Sequence, residues 1–236
     1  MRKLLLSALA VIALVAGYYL LPRLRRTTNR LVYLRAWRAD PAAHPDWQVR
    51  AGERCGRAPF VMPTDAYIGF LWGDSFRLGH LHQGIDMFGP SHELGVVPVV
   101  AAYAGYLTRE STWKSAVIIR IPSDPLQPGR QIWTYYAHMA DEHGKSFIPA
   151  DFPPGTHERP VEQGDLLGYQ GNYSGPSADN PVGMHLHFSI VKDNGRGGYE
   201  NELEIANTYD PSPYLGLNLN AATASLAPQT RQDCYP

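Results

Sequence analysis

The stretches GHLHQGID, positions 79 to 86, and GMHLHFSI, positions 183 to 190, each contain His-Leu-His, a concentration of imidazole suited to metal or acid-base chemistry. In the second, a short run flanked by apolar residues predicts a strand. Side chains at i and i+2 on a strand share a face, so His185 and His187 point together, with Leu186 and Phe188 opposite. Such a pair suits a metal, or a metal and the water beside it; it equally suits two partly buried histidines satisfied by backbone groups. In the first stretch Asp86 follows His82 by four residues. Gly84, Ile85 and the nearby Gly89-Pro90 argue against a helix, and on a straight strand the two side chains would stand roughly 13 Å apart. That is too far for one zinc ion with ligand bonds near about 2.0 Å. A bend is required, and Gly84 can supply it. A catalytic zinc site uses three protein ligands and keeps one position for water. His82 and Asp86 therefore lack one ligand, which the second His-Leu-His could offer. His138 closes the strand-like run QIWTYYAHMA and could reach the same cleft. His80, His92, His143 and His157 lie among turn-like or polar residues and read as surface histidines.

The elements that must hold these groups read as strands. Twenty prolines and twenty-two glycines punctuate 236 residues, and between them lie runs such as Ala116–Ile121 and Gln131–Tyr136, rich in β-branched and aromatic residues. No long helical period follows residue 40, so an all-β fold with an antiparallel sheet core is expected. Chain length permits a sizeable core without metals or multiple disulfides. A net charge of -1 gives no electrostatic footprint for nucleic acid. The expected core runs from about residue 59 to 216, and residues 217–236 read as a polar tail. Two segments without a period, 141–160 and 171–183, could wall a cleft. Cys55 and Cys234 could pair in an oxidising compartment and tie the tail back.

Residues 1–22 differ in kind. Arg2 and Lys3 precede an uncharged run, Leu4 to Leu21, whose helical length of about 27 Å nearly matches a hydrocarbon core of about 30 Å. The run reads as a membrane anchor or a cleaved signal peptide, followed by an Arg-rich juxtamembrane segment and linker over 23–58. The excess of arginine after the run would by itself keep the remainder in the cytoplasm. The chemistry below favours the opposite placement, in the cell envelope outside the cytoplasmic membrane.

The order H-x-x-x-D in HQGID, then YAHM, then H-x-H in HLHF resembles the M23 (LytM/lysostaphin-like) family of zinc metallopeptidases. Three further pieces fit: GVVPVVAAYAGYL, VEQGDLLGYQGN and YDPSPYL, so the resemblance covers about residues 60 to 216. It implies a β-sandwich or split-barrel-like domain with one Zn2+ held by His82, Asp86 and His187, and with His138 and His185 as catalytic histidines beside a zinc-activated water. It also implies peptidoglycan stems or cross-bridges as the peptide substrate, and it leaves open a regulatory protein partner. Ser189 stands where an acidic residue is common in the family, a departure that touches specificity rather than the ligands. FLWGDSF, 70 to 76, contains Gly-Asp-Ser, but the Asp-x-x-His partner of a GDSL-type serine hydrolase is missing, so Asp74 and Ser75 read as turn residues. The remaining alternative is a non-enzymatic zinc-binding domain that binds the wall or activates another wall hydrolase.

Overall fold

The β-branched runs become strands because their alternating faces can both be covered. The computed structural model describes residues 30–75, 79–175 and 182–235. Its strands are β1 (Gln48–Val49), β2 (Ala66–Phe70), β3 (Ile85–Phe88), β4 (Pro98–Val100), β5 (Gly105–Thr108), β6 (Val117–Ile121), β7 (Ile132–Ala137), β8 (Arg159–Val161), β9 (Leu166–Tyr169), β10 (Leu186–Lys192) and β11 (Thr208–Tyr209). Nine of them form one sheet in the order β1-β2-β3-β10-β7-β6-β5-β8, while β4 and β9 pair separately. Every pairing is antiparallel. β11 joins the edge of β10 at Ile190 and Val191, beyond the point where β3 has ended at Phe188. The expected all-β, antiparallel architecture is thus present.

Alternation assigns the two faces of the large sheet. Ile68, Met87, Leu186, Phe188, Ile190, Tyr136, Val117 and Ile119 are buried in one core with Val99 and Leu167 from the small sheet. Burial of such apolar surface stabilises a fold by about 25 cal/mol per Å². Asp86, His187, Tyr135 and Trp133 occupy the opposite face by register. Part of that face is covered by Ile118, Trp133 and Val191 packing with Trp113, Tyr135 and Tyr199.

Both flanks of the expected core pack onto it. Residues 30–39 are helical and form α1, whose Leu34 and Trp37 are buried against Tyr67, Phe70 and Phe88. Trp37 Nε1 donates to the carbonyls of Phe88 and Gly89 at 3.0 and 3.3 Å. At the other end, the short helix α2 (Ser212–Leu215) leads to Leu217 and Leu219, both fully buried in the main core. A Cys55–Cys234 disulfide, with Cα atoms 5.3 Å apart, closes this end over the sheet. Within the loop over 141–160, Ile148 and Phe152 anchor in the core. The apolar run expected at Leu4 to Leu21 lies outside the described residues. Among those described, no helix is long and apolar enough to cross a membrane.

Candidate metal centre

Strand register brings the site together. On β10, His187 lies directly opposite Asp86 of β3 on one side and Ala137 of β7 on the other. Cross-strand neighbours have Cβ atoms about 5 Å apart, so the imidazole and the carboxylate meet without help from a loop. The small Ala137 leaves room above the strand, and the next residue, His138, adopts φ 73°. A positive φ is uncommon for a residue with a Cβ and concentrates at functional positions. Here it turns the chain at the end of β7 so that the His138 ring comes to 4.5 Å from the His185 ring.

His82 arrives from the loop before β3, which resolves the spacing problem of H-x-x-x-D. The strand starts only at Ile85, and the chain folds back at Gln83-Gly84, so His82 Nε2 and Asp86 Oδ1 stand 3.1 Å apart. Its backbone is held on both sides: His82 N donates to Asp74 O, and Gly73 N donates to His82 O, each at 2.7 Å. Asp74, read from the sequence as a turn residue, is a buried anchor for this loop. Its carboxylate accepts from Leu71 N at 2.7 Å and pairs with Arg30 of α1 at 3.0 Å.

Ring orientations follow from carbonyl partners, because a carbonyl can only accept. His82 Nδ1 donates to Leu71 O at 3.1 Å, His138 Nδ1 to Tyr173 O at 2.6 Å and His185 Nδ1 to Gly183 O at 2.5 Å. Each ring is thereby fixed with Nε2 as its other working nitrogen. His185 Nε2 lies 3.5 Å from Asp86 Oδ1, and the His185 ring stacks on Phe88, centroids 5.0 Å apart.

His82, Asp86 and His187, all buried, form a group able to hold a metal. His82 Nε2, Asp86 Oδ1 and His187 Nδ1 are separated by 3.1, 2.9 and 3.1 Å. For bonds of about 2.0–2.1 Å, a tetrahedral site needs ligand atoms roughly 3.3 Å apart, so the triangle is slightly tighter than a loaded one. Its chemistry fits a cation: a carboxylate oxygen and two imidazole nitrogens converge in a buried volume, where the carboxylate charge needs a positive partner. His187 Nε2, on the far side of its ring, is buried without a hydrogen-bond partner. His187 Nδ1, on the near side, lies within hydrogen-bond distance of both Asp86 Oδ1 and His82 Nε2.

Electrostatics agree. Burial would raise the Asp86 carboxyl, but His82 and His185 beside it hold it well below the usual carboxylate range. Burial pushes His82 down, yet the Asp86 charge outweighs this and leaves it above its ordinary value. Burial lowers His187, with Asp86 offsetting only part. Asp86 thus favours a proton on His82, which places positive charge among the three donor atoms. His138 is pushed down to about 3, chiefly by burial and then by His185, and is neutral at physiological pH.

All five site residues read from the sequence are therefore in one place: three donors in a triangle, and His138 and His185 beside it. His92, His143 and His157 are exposed, as expected of surface histidines. Sequence reasoning missed Asp74 as an anchor and Arg30 as its partner. The only signal was a carboxylate next to glycine in a turn, which does not reveal burial.

Sheet and site together define an antiparallel β protein with three converging side chains able to hold a cation, flanked by two histidines. No family model matches the chain, and no curated protein is similar to it. Solved structures similar to it include M23 peptidases. They include a LytM protein from Ruminococcus gnavus, 27% identical over 57% of this chain and 45% of that one, with a TM-score of 0.37. Lysostaphin is 20% identical over 64% of this chain and 50% of its own, TM-score 0.41. The catalytic domain of the prophage-encoded M23 protein EnpA from Enterococcus faecalis is 24% identical over 64% of this chain and 95% of that one, TM-score 0.37. The match spans half or less of the LytM and lysostaphin chains.

Proposed function

We propose that the chain is a zinc metalloendopeptidase that hydrolyses peptide bonds in peptidoglycan stems or cross-bridges. The observation that supports it most is the convergence of His82 Nε2, Asp86 Oδ1 and His187 Nδ1 with two further, carbonyl-oriented histidines alongside. His82, Asp86 and His187 would hold the ion. When bound, zinc supplies Lewis acidity: it polarises a carbonyl and makes water acidic enough to be a nucleophile near neutrality.

The chain's own residues supply the rest. Asp86 brings negative charge to the donor set, and the Leu71 carbonyl keeps the His82 tautomer correct. His138 and His185 are the acid-base pair beside the reacting groups. In the hydrolysis the attacking water loses a proton to a histidine Nε2, the C–N bond breaks, and that proton passes to the departing amine nitrogen. The hydroxyl oxygen remains on the new carboxyl group. His138, neutral and held by Tyr173 O, is ready to accept a hydrogen bond from that water.

We place this activity outside the cytoplasmic membrane, held there by the N-terminal apolar segment. The Cys55–Cys234 pairing supports such a compartment, since disulfides persist where the surroundings are oxidising.

Digestion of purified sacculi by the zinc-loaded protein, followed by mass spectrometry of the products and metal analysis, tests the reading. Asp86→Ala is expected to lose zinc and activity, whereas His138→Ala keeps zinc and loses activity. Bound zinc without new amino termini would sink the enzyme in favour of a binding or activating role. A fully active His138→Ala would overturn the assignment of His138.

A further inference from the structure

A second constellation lies next to the metal centre, on the side of α1. A cleft of about 590 Å³ is lined by residues that include Arg38, Asn172, Gly183, Met184 and Glu142. Gly183 of the cleft wall accepts through its carbonyl from His185 Nδ1 at 2.5 Å, so the cleft adjoins one of the two flanking histidines. Arg38 lies over the Phe88 ring, its Cζ 5.2 Å from the centroid, and packs against Gly183, where a Cβ would come within 2.2 Å of its Nη2.

The guanidinium has little else to do. Among the described residues its one hydrogen bond is from Nη2 to Met184 O at 3.5 Å, and no carboxylate pairs with it. Glu142, which lines the same cleft, contacts its neighbour His143 instead, at 3.8 Å. Arg38 remains exposed to solvent, and partial burial of its guanidinium draws its pKa below the ordinary value. The Asn172 backbone is fixed at both ends, with N donating to Ala140 O at 2.9 Å and O accepting from Val182 N at 3.1 Å. Its side-chain Oδ1 is nevertheless buried without a hydrogen-bond partner. Buried polar atoms normally find partners, and a guanidinium presents a planar fork of donors matched to a carboxylate.

We propose that this cleft binds a free carboxylate of the peptide substrate, with Arg38 forking the two carboxylate oxygens and the Asn172 side-chain oxygen accepting the N–H of the same residue. The proposal deepens the hydrolase reading and rests on it for the identity of the peptide. It makes α1 part of the substrate site and selects for stems whose carboxyl groups are free rather than amidated.

Equilibrium binding separates this proposal from the hydrolase reading. A peptidoglycan stem tripeptide, as the free C-terminal acid and as its amide, is titrated calorimetrically into the zinc-loaded full-length protein and into Arg38→Met, with zinc content measured for both. The expected result is a preference of the native protein for the acid by about tenfold, the size of one charge-assisted contact at a partly open site. Arg38→Met abolishes that preference while zinc content stays the same, and Asn172→Ala weakens acid and amide alike. Equal binding of acid and amide by the native protein overturns the proposal. So does an Arg38→Met protein that weakens both by the same factor, because Arg38 would then only brace Gly183 and Met184. Failure to release new amino termini from sacculi would remove the hydrolase reading and leave the acid-over-amide preference standing.

Discussion

Gly84 is the position where one methyl group should do most damage to the metal centre. A Cβ there would lie 2.3 Å from Phe188 O and 2.9 Å from both Cε1 and Nε2 of His187. Real Cβ contacts stay beyond 3.0 Å, so the loop or β10 must give way by about 0.7 Å. The backbone oxygen cannot swing aside, because Phe188 is paired on β10 between β3 and β7. Ligand distances in metal sites hold to about 0.2 Å, several times less than the required shift. Overpacking of this kind costs about 1–3 kcal/mol. The metal-free protein can relieve part of it by rotating His187, but the loaded protein cannot, so the cost should fall mainly on metal binding. Gly84→Ala is therefore expected to weaken zinc roughly 5- to 140-fold, at about 1.4 kcal/mol per factor of ten. A competition titration against a chromophoric chelator measures this, with thermal melting of the metal-free protein in parallel. Unchanged zinc affinity together with an unchanged melting temperature would refute the reasoning.

Two further outcomes follow from the electrostatics of the site. Because Asp86 holds His82 above its ordinary value, their charged pair stabilises the metal-free protein below that value, and this contribution is lost as pH rises through the raised pKa. Zinc must displace the same proton, so its affinity should fall by about tenfold per pH unit below the raised pKa, with proton release seen in buffers of different ionisation enthalpy. An affinity independent of pH between about 5 and 8 would contradict this. Arg30→Met strips Asp74 of its cation inside the protein, where both side chains are almost fully buried. Breaking such a pair costs about 3–5 kcal/mol, and since Asp74 O receives His82 N, zinc should also bind more weakly. Arg30→Met combined with Asp74→Asn should recover part of the melting temperature, and a double-mutant cycle with no coupling would disprove the link.

How much of this was legible in the sequence depended on whether the cause was local. Val117–Ile121 and Ile132–Ala137 read as strands because β-branching and alternation act within a few residues. Spacing also showed that His82 and Asp86 could meet only through a bend, and Gly84 lies at that bend. What spacing left open was the division of labour in His-Leu-His: both histidines share a face, and only strand pairing sets His187 opposite Asp86 while His185 faces His138. The flanks were least legible. Arg30 and Arg38 read as charges near a membrane, yet one makes a buried ion pair and the other lines a cleft. Leu217 and Leu219 sit in a stretch without a period, so nothing local marks them as core.

The difference between the two His-Leu-His stretches comes from where each lies relative to a strand. The second is on β10 or immediately before it, so pairing on both sides determines which neighbour each imidazole meets. The first precedes β3 and has no pairing to position it. The sequence compensates with side chains and backbone caps: Asp74, Leu71 and Gly73 take up the polar groups of His82, and Arg30 of α1 holds Asp74. A sheet therefore positions Asp86 and His187 through register, and His82 depends on a loop fastened by a helix from outside the motif. Stability of α1 and the position of His82 are consequently coupled. Changes that release α1, such as loss of the Trp37 contacts to Phe88 and Gly89, should act on His82 without touching any ligand.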